Sequence, residues 1–381
     1  MLRGCYYCST AGTFKASTAI LQAIDALQAI VQRDEGGRGI APLTRPQQLR
    51  SAAIELMAVL RQQQAHGSGS LVVLTGFPCM RERTPPGESD GPPGAACVAR
   101  TLQALGGPTV RLPIEDHTEK ALRACVEAAC ADEGGGTPEV IGFSPAERWT
   151  PADDARLDAL HADAAAVVSI ERAGPAGDGV CYTMRALPMG DALIAPRLNE
   201  LARISDGLSA APAAVPATQP RCIAIGDGGN ELGLGALHTD ICEHVKLGAT
   251  IGCVVPAHAE LVASVSNWGA YALSHALSLL AWDEGWGPCS LAASAGEDAP
   301  WVETMSESEY LDRLAPNAAA AERTILAANR HGLVDGITSQ GGGAVDGMPL
   351  EAQRAIVDEL RDATLAAMRA SPAGGAGLRS P

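Results

Sequence analysis

Asp227, Asn230 and Glu231 stand among glycines in the run Gly226-Asp227-Gly228-Gly229-Asn230-Glu231-Leu232-Gly233. Ile223 to Ile225 just before it read as the end of a buried strand. Gly226, Gly228 and Gly229 permit a tight turn that residues with a β-carbon resist. A strand ending in this way puts carboxylates and bare backbone N–H groups at the carboxyl edge of a sheet, where open α/β sheets place their ligands. Asp227 and Glu231, four apart in a turn-to-helix segment, can lie close and split their pKa values, which suits them as base and acid. Gly228, Gly229 and Asn230 between them are candidate substrate contacts.

Four more turns rich in glycine and acid recur: residues 34–39, 89–94, 171–174 with Asp178-Gly179, and 341–347 with Asp346. Each alone is ordinary turn chemistry. Three of the five clusters follow short apolar segments, however, and would meet at one sheet edge. Arg38 and Arg172 are candidates to bind carboxylates, because a guanidinium grips them bidentately. Asp90, grouped with the catalytic acids, and Asp178 suit an ammonium or a divalent cation such as Mg2+ or Mn2+, for which no ligand set is assigned. Glu171 belongs with the substrate contacts, and a structural pairing of Arg172 with Glu171 or Asp178 is the alternative for that arginine.

Ser266-Asn267-Trp268-Gly269-Ala270-Tyr271 opens a long apolar helix. Ser266 or Asn267 would serve as its N-cap. The functional alternative is that its free N–H groups receive a substrate carboxylate, with Asn267 and Trp268 at the site. Core packing is the competing reading for Trp268 and Tyr271.

Several chemistries are disfavoured. Gly-x-Gly-x-x-Gly would need glycine at 231, where Glu231 would repel a pyrophosphate, and no Walker A sequence occurs. The eight histidines are dispersed, and no Gly-x-Ser-x-Gly elbow is present. A net charge of −16 argues against nucleic acid or anionic membrane as the main partner. No apolar run of about 18 residues suggests a membrane span. The expected partner is a small molecule, and an oligomer is compatible with the sequence. Eleven scattered cysteines read as free thiols in a reducing compartment. Cys5-x-x-Cys8 lacks a second pair, which weighs against zinc or redox work.

Behind these groups lies an alternation of strands and helices. Helices are predicted over 18–32, 46–64, 94–105, 117–131, 151–161, 193–204, 267–282, 316–330 and 350–369. Strands are predicted over 70–74, 108–112, 139–143, 165–170, 221–226 and 250–255. The pattern predicts an α/β fold, a mostly parallel sheet with helices on both faces and the active site at the carboxyl edge of its strands. Residues 1–18 read as an extension, 19–370 as the folded domain and 371–381 as a disordered tail. The segment 207–220, with its prolines, reads as a surface insertion. Arg3, Lys15 and the lack of acids before Asp25 resemble an organelle leader, without the arginine richness of a typical one.

Seven ordered blocks resemble the D-glutamate cyclase family. They are Gly36–Gly39, Thr75–Pro78, Asp90–Ala95, Ile170–Gly174 with Asp178-Gly179, Gly226–Gly233, Ser266–Gly269 and Val345–Gly347, spanning roughly residues 20–365. The chain departs from the family pattern at Leu234 and Ala270, in place of Met and Gly. The resemblance implies conversion of D-glutamate to 5-oxo-D-proline with loss of water, and a mitochondrial matrix location, with the cytoplasm as alternative. A lyase or cyclase acting on another small acidic amino acid, or a binding protein for an acidic metabolite, are the competing functions.

Overall fold

The computed structural model describes residues 16–66, 69–107, 109–132, 136–202, 219–286 and 305–371. Cys5, Cys8, most of the 1–18 extension, the 207–220 insertion up to residue 218, and the tail beyond 371 lie outside the described residues. Residues 287–304 also lie outside them.

Six strands form one parallel sheet: β1 (Ser70–Gly76), β2 (Val110–Glu115), β3 (Glu139–Phe143), β4 (Ala164–Arg172), β5 (Arg221–Gly226) and β6 (Ala259–Val262), in the order β3-β2-β1-β4-β5-β6. The chain moves outward from β1 to β3, then returns to lay β4 on the other side of β1. The connections beyond the carboxyl ends of β1 and β4 thus diverge and leave a crevice, the usual ligand position in such sheets. Gly76 and Arg172 are paired at that point.

Alternate residues of each strand face opposite layers, as the pleat requires. Leu71, Val73, Val168, Ile170, Ile223 and Ile225 face a thick helical layer. It holds α1 (Thr18–Val31), α2 (Gln48–His66), α3 (Pro92–Ala104) and α4 (Asp116–Ala129). Val72, Leu74, Val167 and Ala224 face a thinner layer with α5 (Pro151–Asp163) and α6 (His238–His244). The helix α7 (Gly248–Ile251) follows. The helix α8 (Ser266–Asp283) is buried from Ser266 to Trp282, so its sequence is apolar all round and not striped. Around it in the thick layer lie α9 (Glu307–Leu314), α10 (Ala318–Arg330) and α11 (Leu350–Ala370).

Two predicted elements are corrected. Residues 250–255 are not a strand: α7 and an extended segment occupy them, and the edge strand is β6. The apolar run is spent on the glycine turn instead. Cys253 N donates to Gly229 O at 3.0 Å, and Gly235 N to Val255 O at 2.9 Å. The helix expected over 193–204 is a 3-10 segment, Pro196–Ala202. The last two helices start and stop near their predicted limits, and Asn317 caps α10 through Ala320 N. Ser17 caps α1 and bonds Asp283, so the last residues of the expected extension belong to the folded domain. The eight described cysteines are free, and Cys97, Cys125, Cys222 and Cys253 are buried. No described helix is long and apolar enough to cross a membrane.

Candidate active site

The loops that follow the strands bring together a set of buried acids. Asp90 precedes α3, Glu171 ends β4, Asp227 and Glu231 follow β5, and Asp346 lies in the turn before α11. All five are at most 7 % exposed. Oxygens of Asp90, Asp227 and Asp346 lie within 4.8 Å of one another, and so do oxygens of Glu171, Asp227 and Glu231. Four of the five sequence clusters thus contribute an acid to one place, and the fifth, residues 34–39, contributes Arg38.

Arg38 is held by its own loop, where Asp34 accepts from the N–H groups of Arg38 and Gly39, each at 2.7 Å. Its guanidinium then reaches the acids. Nη1 and Nη2 donate to Asp227 Oδ2 and Oδ1 at 2.7 and 3.0 Å, and Nη1 lies 2.6 Å from Asp346 Oδ2. Burial pulls the guanidinium down, but Asp227, Asp346, Glu171 and Glu231 together hold it above its ordinary value. Both oxygens of Asp227 are thereby engaged. Burial still lifts Asp227 well above the usual carboxylate range, outweighing Arg38.

Glu231 folds back over its own turn, its Oε1 and Oε2 accepting from Gly228 N at 2.9 Å and Gly229 N at 2.7 Å. Gly226 is required beneath it, since a β-carbon there would stand 2.7 Å from Glu231 Oε2. Asn230 Nδ2 donates to Tyr182 O at 2.7 Å. Glu171 has φ +45°, a left-handed conformation rare outside glycine and often found at functional sites. Its Oε2 accepts from Ser266 Oγ at 2.5 Å. Burial raises its carboxyl well above the ordinary range, with Glu231 and Asp90 adding to the shift.

The amino end of α8 is already occupied. Asp90 accepts from Ser266 N at 2.9 Å and Asn267 N at 2.7 Å, so the carboxylate received by this helix is the protein's own. Burial and Asp346 nonetheless hold Asp90 above its ordinary value. Asn267 Oδ1 accepts from Gly91 N at 3.1 Å and Gly94 N at 2.8 Å.

Three residues expected to bind substrate are elsewhere engaged. Arg172 is fully buried and makes two bonds of 2.8 Å to Glu115, with further bonds to Asn199, Thr75 O and Ala195 O. Its partner is therefore neither Glu171 nor Asp178, and it is a structural ion pair beneath the crevice. Asp178 is exposed on a hairpin, bonded by Tyr182 Oη at 2.6 Å. Trp268 is buried and donates to Gln353 Oε1 at 2.6 Å, which joins α8 to α11.

Two acids were not in the predicted site set. Asp346 lay in a flagged turn, and its φ of +52° matches the Asp-Gly signal there. Glu88, 7 % exposed, is lifted by burial and by Asp346 and Asp90. It sits two residues before Asp90, and nothing in its local sequence distinguished it from the polar loop.

A family model described as "D-glutamate cyclase-like, C-terminal" matches residues 27–361. The chain is 28 % identical over 365 residues to the mitochondrial D-glutamate cyclase of Homo sapiens, covering 92 % of this chain and 53 % of that protein. It thus spans about half the length of this curated relative.

Proposed function

The chain belongs to the D-glutamate cyclase-like, C-terminal family, and from that premise we propose that it closes D-glutamate to 5-oxo-D-proline with release of water. The observation that carries this reading is the convergence of Asp90, Glu171, Asp227, Glu231 and Asp346 around Arg38. Like charges buried together are costly, and they are found where their proton affinities are used.

Lactam closure forms a bond from the α-nitrogen to the γ-carboxyl carbon and breaks one of that carbon's bonds to oxygen. Two protons pass from the ammonium to the departing oxygen, which leaves as water. A base must stand by the nitrogen and positive charge by the carboxylate. Asp227, expected as base, has both oxygens on Arg38. We assign the proton acceptor to Asp346, which among the described residues makes only the ion pair to Arg38 Nη1. Arg38, with a side chain 20 % exposed and donors to spare, takes a substrate carboxylate. Glu231 shapes the turn, and Asp90 fixes α8. The name of the relative supports a mitochondrial location.

The test is incubation of purified protein with D- and L-glutamate and chiral detection of oxoproline. Product from the D form alone is the expected result. Tight binding of glutamate with no product would make the protein a binder of acidic metabolites, and product from another acidic amino acid only would change the substrate.

A further inference from the structure

The acids of the site divide into two triads that share Asp227. The triad of Asp90, Asp227 and Asp346 contains its own cation, because Arg38 pairs with two of its members. The triad of Glu171, Asp227 and Glu231 is different. Among the described residues, no arginine, lysine or histidine pairs with Glu171 or Glu231.

A second observation, independent of the acids, adjoins this triad at Glu231. Asn230 is 1 % exposed. Its amide nitrogen donates to Tyr182 O, which fixes the orientation of the amide, and its Oδ1 has no hydrogen-bond partner. Leaving a buried acceptor unpaired is costly. That Oδ1 and Glu231 Oε1 each stand 3.1 Å from the point where a β-carbon on Gly228 would be, so they open on one space. Met184 Sδ is 2.9 Å from the same point, and Met184 is 38 % exposed, so the space lies just under the surface.

We propose that Glu171, Asp227, Glu231 and Asn230 Oδ1 form a site for one hard divalent cation, Mg2+ or Mn2+. Three carboxylates and an amide oxygen are the donor set such ions prefer, with remaining positions left to water or substrate. An ion there gives the orphaned amide oxygen a partner and offsets the charge of the triad. Its role, which rests on the cyclase reading, is to receive the γ-carboxylate of the substrate and draw electrons from its carbon. Arg38 then serves the other carboxylate.

Manganese titration of the full chain, after chelation and without substrate, tests the site. Calorimetry and the electron paramagnetic resonance of free Mn2+ should both show one ion per chain, and Mn2+ should raise the melting temperature. Glu171→Gln and Asn230→Ala should each weaken binding by at least about tenfold, with circular dichroism confirming the fold. Asn230→Ala is the milder change and keeps the test valid if Glu171→Gln does not fold. Absence of saturable binding, or binding equal in wild type and both variants, would overturn the site. Binding without oxoproline formation leaves the site standing and removes the cyclase reading. Oxoproline formation by protein that binds no ion does the reverse.

Discussion

Asp90 and Asn267 cap each other's helices. Asp90, just ahead of α3, accepts from the first N–H groups of α8, and Asn267, in the first turn of α8, accepts from Gly91 N and Gly94 N at the start of α3. Neither helix supplies a side-chain cap for itself. Orphan donors at both helix ends are satisfied across the interface. The exchange also fixes where Asp90 enters the acidic site. Gly94 makes the approach close: a β-carbon there would lie 2.8 Å from Asn267 Oδ1.

Asn267→Ala removes both of these bonds and the one from Nδ2 to Ser89 O. A loss of about 2 kcal/mol is expected, at the upper end for a cap because the site is dry. Denaturant melts measure it. The backbone donors to Asp90 remain in the variant, so activity should fall only as far as the loosened start of α3 moves that carboxylate.

Asp346→Asn separates chemistry from folding. Arg38 keeps its two bonds to Asp227, and one buried charge disappears. Thermal stability should therefore hold or rise. Turnover should fall by about 10²-fold or more, the usual contribution of a positioned proton acceptor, with little change in KM. Steady-state kinetics on D-glutamate check both.

Glu115→Gln tests the ion pair under the crevice. Breaking a buried pair from one side costs about 3–5 kcal/mol, because Arg172 is left uncompensated. Burial pushes the Glu115 carboxyl up, yet Arg172 and Ala195 N bring it below its ordinary value of 4.5. A depressed carboxyl contributes stability that is present above the unfolded value and lost as pH falls through the folded one. Wild type should lose this contribution as pH drops below 4.5, and the variant should lack that part of the acid dependence. Urea melts between pH 6 and pH 3 read it.

His275 gives a second, higher window. It is fully buried, in contact with Thr364 Oγ1 and Pro316 O, and burial lowers it to about 3. The fold keeps it neutral, while the unfolded chain takes a proton as pH falls through 6.5. Stability from this group should fall by about 1.4 kcal/mol per pH unit from there toward pH 3. Comparing urea melts of wild type and His275→Gln at pH 7.5 and 5 isolates the slope.

The sheet was legible because its strands are apolar runs ended by glycine and acid, and the helices because their spacing is regular. Thr250–Val255 misled for a physical reason. It has the composition of a buried strand, but Gly248 lets the chain pass hard against Ile241, where a β-carbon would meet Ile241 O at 1.9 Å, and its backbone bonds go to the short helix itself, to the glycine turn and to Pro175 O. Arg172 shows the limit of reading charge locally. Its partner Glu115 ends a different strand, and only the sheet order sets the two close. Asp90 and Asn267 were legible as site-edge residues, yet the carboxylate expected from a substrate came from the chain. Asp346 carried a turn signal and no sign of its partners, since Arg38 comes from near the other terminus.

That last pairing has a consequence for biogenesis. Arg38 precedes every strand of the sheet, and Asp346 follows every one of them. All six strands are synthesised before one arm of the guanidinium clasp. Truncation ahead of residue 346 would remove both that arm and α11, whose Ile356, Val357 and Leu360 are buried in the thick layer, so the carboxylates of β4 and β5 depend on a segment made well after their own strands.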